Sequence, residues 1–184
     1  MAKLAKVISG GQTGVDQAAL RAARDCGMQI GGWCPPGRVC ETGVISAEFP
    51  LKETPQERSA DAPDVPRSQR TEWNVRDSGG TLVILANPGV SDRETAADGW
   101  IGWTIECARR YGRPLMICAV DEPDATEKIQ AWLANNQVPT LNIAGPSEST
   151  APGIGECAYL LLRAVFENRP TGSADKNLSI GASG

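Results

Sequence analysis

The chain contains no histidine, and its six cysteines (Cys26, Cys34, Cys40, Cys107, Cys118, Cys157) include no CxxC pair. Without imidazole there is neither a Ser-His-Asp triad nor a Cys-His dyad, and a protein zinc site lacks its usual ligands. No metal site on the protein's own side chains is therefore expected. No apolar run approaches the roughly 20 residues that a membrane helix needs. The opening MAKLAKVISGGQTG reaches glycine before a secretory signal can develop and has no small-residue cleavage site. Positive charge is also scarce: 18 Lys and Arg against 22 Asp and Glu leave a net charge of -4, which argues against a broad nucleic-acid surface. These absences predict a cytoplasmic protein that engages neither membrane nor nucleic acid.

What is present suits one globular domain. The 184 residues are 41% hydrophobic and 22% charged, and a chain of this length buries about 70% of its unfolded surface. From Pro170 onward the composition turns to Gly, Ser and Ala with little apolar content, so the expected division is a domain over 1–169 and a flexible tail over 170–184.

The hydrophobic period alternates between strand-like and helical runs. Strands are predicted at Leu4 to Ser9, Met28 to Trp33, Thr81 to Ala86, Pro114 to Val120 and Val138 to Ile143. Helices are predicted at Val15 to Cys26, Gln69 to Asp77, a segment ending near Tyr111, a segment carrying Ile129, Trp132 and Leu133, and Ile154 to Phe166. Strands alternating with helices call for an α/β, three-layer Rossmann-like domain with a mostly parallel sheet flanked by helices. The stretch from Cys34 to about Ser68 is too long for a plain connector and reads as a functional loop.

Such folds bind ligands beyond the carboxyl ends of their strands. The loop after the first strand, Gly10-Gly11-Gln12-Thr13-Gly14, can bring backbone N–H groups and a helix dipole to an anion. It matches neither GxGxxG nor the P-loop pattern, and the plain alternative is a glycine turn capped by Thr13 with Asp16 supporting the first turn. Gly32, Trp33 and Arg38 sit on a proline-stiffened loop, where Trp33 can stack on a ring and Arg38 can fork onto a phosphate, or simply build a rigid turn. Arg70 and Asn74, with Thr71 between them and Ser78 following, fall on one stretch in which positions four apart share a helix face. Gly99, Gly102 and Thr104 open another helix. Ser147, Glu148 and Ser149 follow the fifth strand and either donate to a ligand or cap the last helix. Cys34 and Cys40 flank the loop and are the two cysteines to test as soft ligands or redox-sensitive thiols, although the plain structural reading is favoured for them too; Cys26, Cys107, Cys118 and Cys157 fit the pattern of small buried hydrophobes.

The segments SGGQTGVDQAAL, GGWCPPGR, FPLKET, QRTEWNVRDSGGTL and LNIAGPSES, in one order from Val7 to Phe166, resemble the molybdenum carrier family, within the Rossmann-like superfamily that includes the lysine-decarboxylase-like phosphoribohydrolases. The resemblance implies an oligomeric cytosolic protein that binds molybdenum cofactor (molybdopterin), a phosphorylated pterin whose dithiolene holds the metal. Molybdoenzymes or cofactor-biosynthesis proteins would be its partners. It further implies that Gly11, Gln12, Thr13 and Gly14 hold phosphate or oxyanion and that Arg70, Thr71 and Asn74 line the cavity. Where the family commonly has GGT-x-x-T, this chain places Trp100 and Ile101 between Gly99 and Gly102, and that bulk narrows the expected pocket. In the phosphoribohydrolases the corresponding region carries a catalytic Glu, for which Glu106 is the matching position.

Three functions follow: a non-catalytic carrier of molybdenum cofactor, a nucleoside 5'-monophosphate phosphoribohydrolase using Glu106, and a nucleotide-sensing module. A dimer or tetramer is expected if the Trp-containing helix Ile101 to Tyr111 leaves an apolar face exposed.

Overall fold

The structure is a computed structural model that describes residues 4–87 and 99–167. The tail expected beyond Pro170 lies outside them. Five strands form one sheet in which every pairing is parallel: β1 (Lys6–Ile8), β2 (Gln29–Gly31), β7 (Gly80–Leu85), β8 (Leu115–Ala119) and β9 (Thr140–Ala144), in the order β2-β1-β9-β7-β8. The intervening short strands β3 (Trp33–Cys34), β4 (Val39–Cys40), β5 (Gly43–Val44) and β6 (Lys52–Glu53) form two small pairs outside this sheet. Among the described residues five α-helices surround it: α1 (Val15–Asp25), α2 (Ser68–Arg76), α3 (Trp100–Arg110), α4 (Ala125–Asn136) and α5 (Ile154–Glu167). The α/β, mostly parallel arrangement expected from the sequence is what the chain adopts.

Strand register divides the core. Residues paired across a parallel ladder point to the same side, so Val7, Leu141, Leu82 and Ile84 face one way. They pack with the apolar stripes of α1, α4 and α5 into the largest core cluster. The small side chains of Ala18, Ala19, Ala22 and Ala23 let α1 lie close to α5. On the opposite face α2 and α3 pack through Val75, Trp103, Cys107 and Ala108. Trp103 and Ile101 are thereby buried within the chain. The apolar face of α3 expected to drive oligomerisation is consumed internally.

The predicted second strand is interrupted. Gly32 holds φ +130°, and a Cβ there would lie 2.3 Å from the Ser9 carbonyl oxygen and 2.9 Å from Asn74 Oδ1. Only glycine fits this close approach. The chain leaves the main sheet at this point, and β3 pairs with β6 instead.

The segment from Cys34 to Leu51 carries its own small core of Cys34, Cys40, Ile45, Phe49 and Leu51, packed on Leu20 of α1. Burial pushes the Cys34 thiol up from its ordinary value, and Cys40 is buried as well. The plain reading of these two as buried structural thiols is the one the loop adopts. Their loop folds back on itself, whereas Cys157 in the first turn of α5 is exposed.

Candidate functional site

The strand order locates the crevice. Counting from β9 as the first strand, followed by β1, β2, β7 and β8, the observed order reads 3-2-1-4-5, the doubly wound Rossmann order. The switch point then falls between β9 and β7. The topological equivalent of the first-strand loop is the segment after β9, beginning at Gly145, rather than the glycine loop after β1. Because β1 and β9 are neighbours, both loops emerge side by side at the carboxyl edge. They are stitched together there: the Val15 N–H donates to the Pro146 carbonyl at 3.2 Å, and the Glu148 N–H donates to Thr13 Oγ1 at 3.2 Å.

At the root of this junction lies a buried ion pair. Arg70, on the first turns of α2, places Nη1 2.7 Å from Asp16 Oδ2, with side-chain exposures of 16% and 2%. The same Asp16 oxygen accepts from the Gln12 N–H at 3.2 Å. Gly10 makes room for the guanidinium, since a Cβ on Gly10 would stand 1.6 Å from Arg70 Nη1. Arg70 Nε is the one buried side-chain N or O among the described residues without a hydrogen-bond partner. A buried donor left without an acceptor costs about 1–3 kcal/mol, so this N–H is poised to receive an oxygen.

Around that pair runs a narrow crevice lined by Gly10, Asp16, Arg70, Thr71, Asn74, Trp100 and Thr104 on the helix side and by 142–145 on the sheet side. Its volume of about 10 Å³ is about the room one water needs. Trp100 forms part of its wall, whereas Ile101 lines a larger space alongside. That space is a cavity of about 500 Å³ whose walls include Leu85, Ile101, Val120, Ile154 and Cys157. That size lies within the range of small-molecule sites.

Above the crevice a carboxylate occupies the glycine loop. The Glu41 carboxylate, at the tip of the β4–β5 hairpin, accepts from the Thr13 hydroxyl and the Ser149 hydroxyl, and from the Ser149 N–H at 3.1 Å. The Glu41 N–H in turn donates to Gln12 Oε1 at 2.9 Å. Ser149 first and Thr13 second hold the Glu41 carboxyl down at about 2. Glu148 caps α5, its carboxylate accepting from the N–H groups of Gly153 and Gly155. Ser147 Oγ lies 3.1 Å from Ser149 Oγ and 3.0 Å from Thr150 Oγ1. Thr13 does not cap α1; its N-cap is Gly14, with no side-chain bond.

The structure therefore brings Gly10, Gly11, Gln12, Thr13, Gly14, Arg70, Thr71, Asn74, Thr104, Ser147, Glu148 and Ser149 to the carboxyl edge. Asn74 is spent on structure: its amide clamps the backbone of Trp33 from both sides at 2.9 Å and donates to the Arg70 carbonyl. Gly99 is the N-cap of α3 and Gly102 its third residue. Others lie elsewhere. Arg38 is locked in a cage of carbonyls, donating to Leu51, Ser46 and Phe49 at 2.9–3.0 Å, so it organises its own loop and has no free fork for a phosphate. Trp33 lies edge-on to Trp73 at 4.7 Å, donates to Asp77 Oδ2 at 2.7 Å, and lines a separate cleft. Ser78 donates to the Val75 carbonyl at the end of α2. Glu106 is paired with Arg109 and Arg110, which hold its carboxyl at about 2, and it lines neither the crevice nor the large cavity. Sequence reasoning missed Asp16 as the partner of Arg70, and Glu41 entirely.

The model of the circularly permutated YpsA SLOG family matches residues 7–166. The chain belongs to this family. The description as circularly permutated accords with the strand order, in which the strand that stands first in the doubly wound arrangement comes last in the sequence, as β9. The chain is also similar to a solved crystal structure from Syntrophus aciditrophicus SB, described as a "putative molybdenum carrier protein". The two are 33% identical, with a TM-score of 0.74, over 88% of this chain and 94% of that one. None of the curated proteins matches the chain.

Proposed function

We propose that this SLOG protein is a non-catalytic carrier that binds, protects and transfers molybdenum cofactor in the cytoplasm, handing it to molybdoenzymes or to proteins of cofactor biosynthesis. The observation that carries the reading is the meeting of two loops, after β1 and after β9, on one set of hydroxyl and N–H donors next to a cavity of about 500 Å³. A phosphorylated pterin needs both parts: donors for the phosphate and volume for the ring system. Thr13, Ser149 and the 12–14 backbone would hold the phosphate, where the N-terminus of α1 adds a favourable dipole. Leu85, Ile101, Val120 and Ile154 would face the ring system. The partnerless Arg70 Nε, in the cradle that Gly10 leaves open, fits an incoming oxygen. The pterin dithiolene itself would hold the metal, a demand that a histidine-free chain can meet.

Hydrolysis of a nucleoside monophosphate is the weaker reading, because Glu106 is engaged by two arginines away from both spaces. Native mass spectrometry with metal analysis, on protein purified from a host that makes the cofactor, separates the two. A carrier brings molybdenum and pterin in fixed ratio, and Thr13→Ala lowers occupancy by about tenfold, the equivalent of one charge-assisted hydrogen bond. Absence of both from the wild type, together with release of free base from nucleoside monophosphates, overturns the proposal.

A further inference from the structure

Glu41 stands where the ligand's anion would stand. The donors that the glycine loop offers, the hydroxyls of Thr13 and Ser149 and the Ser149 N–H, are all turned onto one carboxylate. That carboxylate comes from a segment remote in sequence from both loops. Among the described residues, every hydrogen-bond donor to it is neutral. The hairpin that delivers it is small, two residue pairs, Val39 with Val44 and Cys40 with Gly43. Val39 and Val44 are exposed. Cys40 and Ile45 anchor the base of the hairpin in the small core on Leu20, whereas the tip itself, residues 41–43, is exposed, and among the described residues its attachment to the glycine loops is the Glu41 carboxylate and the Glu41 N–H on Gln12.

We propose that Glu41 is a built-in competitor for the anionic group of the ligand: the tip of the β4–β5 hairpin covers the empty loop with its own carboxylate and must turn away, about the base anchored by Cys40, before a phosphate monoester can bind Thr13 and Ser149. This rests on the phosphate placement proposed above and adds its regulation. The chemistry is an exchange of anions on one donor set. A phosphate dianion carries more charge and more acceptor oxygens than a carboxylate, so it wins the exchange where a lone carboxylate ligand does not. Apparent affinity is the intrinsic affinity scaled by the fraction of molecules with the hairpin open. Glu41 thereby sets a threshold that favours ligands with additional contacts in the neighbouring cavity over free small anions.

The test uses the full chain, with inorganic phosphate as the probe, followed through the amide NMR shifts of Thr13, Gly14 and Ser149. Glu41→Ala is expected to bind phosphate about tenfold or more tightly than the wild type. Glu41→Gln, which keeps the shape and loses the charge, should fall between the two, and adding Thr13→Ala to Glu41→Ala should abolish the gain. In the wild type, saturating phosphate should speed hydrogen exchange in residues 39–44, an effect that a purely structural tie would not show. Equal affinities in wild type and Glu41→Ala, with shifts at Thr13, would overturn the competitor and leave the phosphate loop standing. Absence of shifts at Thr13 and Ser149 in every variant would overturn both.

Discussion

Two carboxylates serve the same glycine loop in opposite ways. Asp16 is buried, paired with Arg70 at 2.7 Å and tied to the Gln12 backbone; Glu41 is exposed and, among the described residues, held by neutral donors. A buried charge whose partner is removed is left in low dielectric with nothing to compensate it, so the Asp16–Arg70 pair behaves as a fixed part of the fold. A surface carboxylate that loses its donors regains water, so Glu41 can leave at small cost. On the proposed reading the loop has a rigid floor and a removable cover, a combination that suits holding and then releasing a load.

Breaking the floor should have the largest effect. Asp16→Ala strands the Arg70 guanidinium and is expected to lower unfolding stability by about 3 kcal/mol or more, read by urea denaturation. Gly10→Ala pushes a methyl into the space of Arg70 Nη1; the guanidinium can swing aside, so the loss should be nearer 2 kcal/mol. If both variants unfold like the wild type, the pair is not a structural anchor. The cover should register mainly through pH. The Glu41 carboxyl lies at about 2 against an ordinary value of 4.5, so its contribution is complete above about 4.5 and fades as pH falls toward 2. Other depressed carboxylates, Glu106 among them, titrate in the same range. The difference in stability between wild type and Glu41→Gln should accordingly be within about 1 kcal/mol at pH 7 and shrink between pH 4.5 and 2. A difference that grows on acidification would contradict the assigned role.

The same contrast shows what could be read from the sequence. Alternating hydrophobic periods located nearly every main strand and helix, because each element announces its own buried face. Strand order was not legible, since the insertion of β9 between β1 and β7 depends on pairings across more than 50 residues. The glycine loop and Arg70 were visible as residues with suitable chemistry. Arg38 looked equally suitable, and only the folded loop reveals four carbonyl acceptors around it. Glu41 left no clear local signal: the Glu-Thr turn between Val39-Cys40 and Gly43-Val44 lacks the Asn-Gly or Asp-Gly type of pair that marks a two-residue hairpin. Its partner Ser149 lies 108 residues away, and no local pattern connects them. Cys157 misled for a related reason: it follows the apolar ladder of α5 but falls on the turn that borders the large cavity.

A crystal structure of the protein loaded with a phosphorylated pterin tests the central claim most directly. The account predicts phosphate oxygens within hydrogen-bonding distance of Thr13 Oγ1 and the Ser149 N–H, Glu41 displaced, and the Asp16–Arg70 pair unmoved. A ligand bound elsewhere with Glu41 still seated on Thr13 and Ser149 would contradict it.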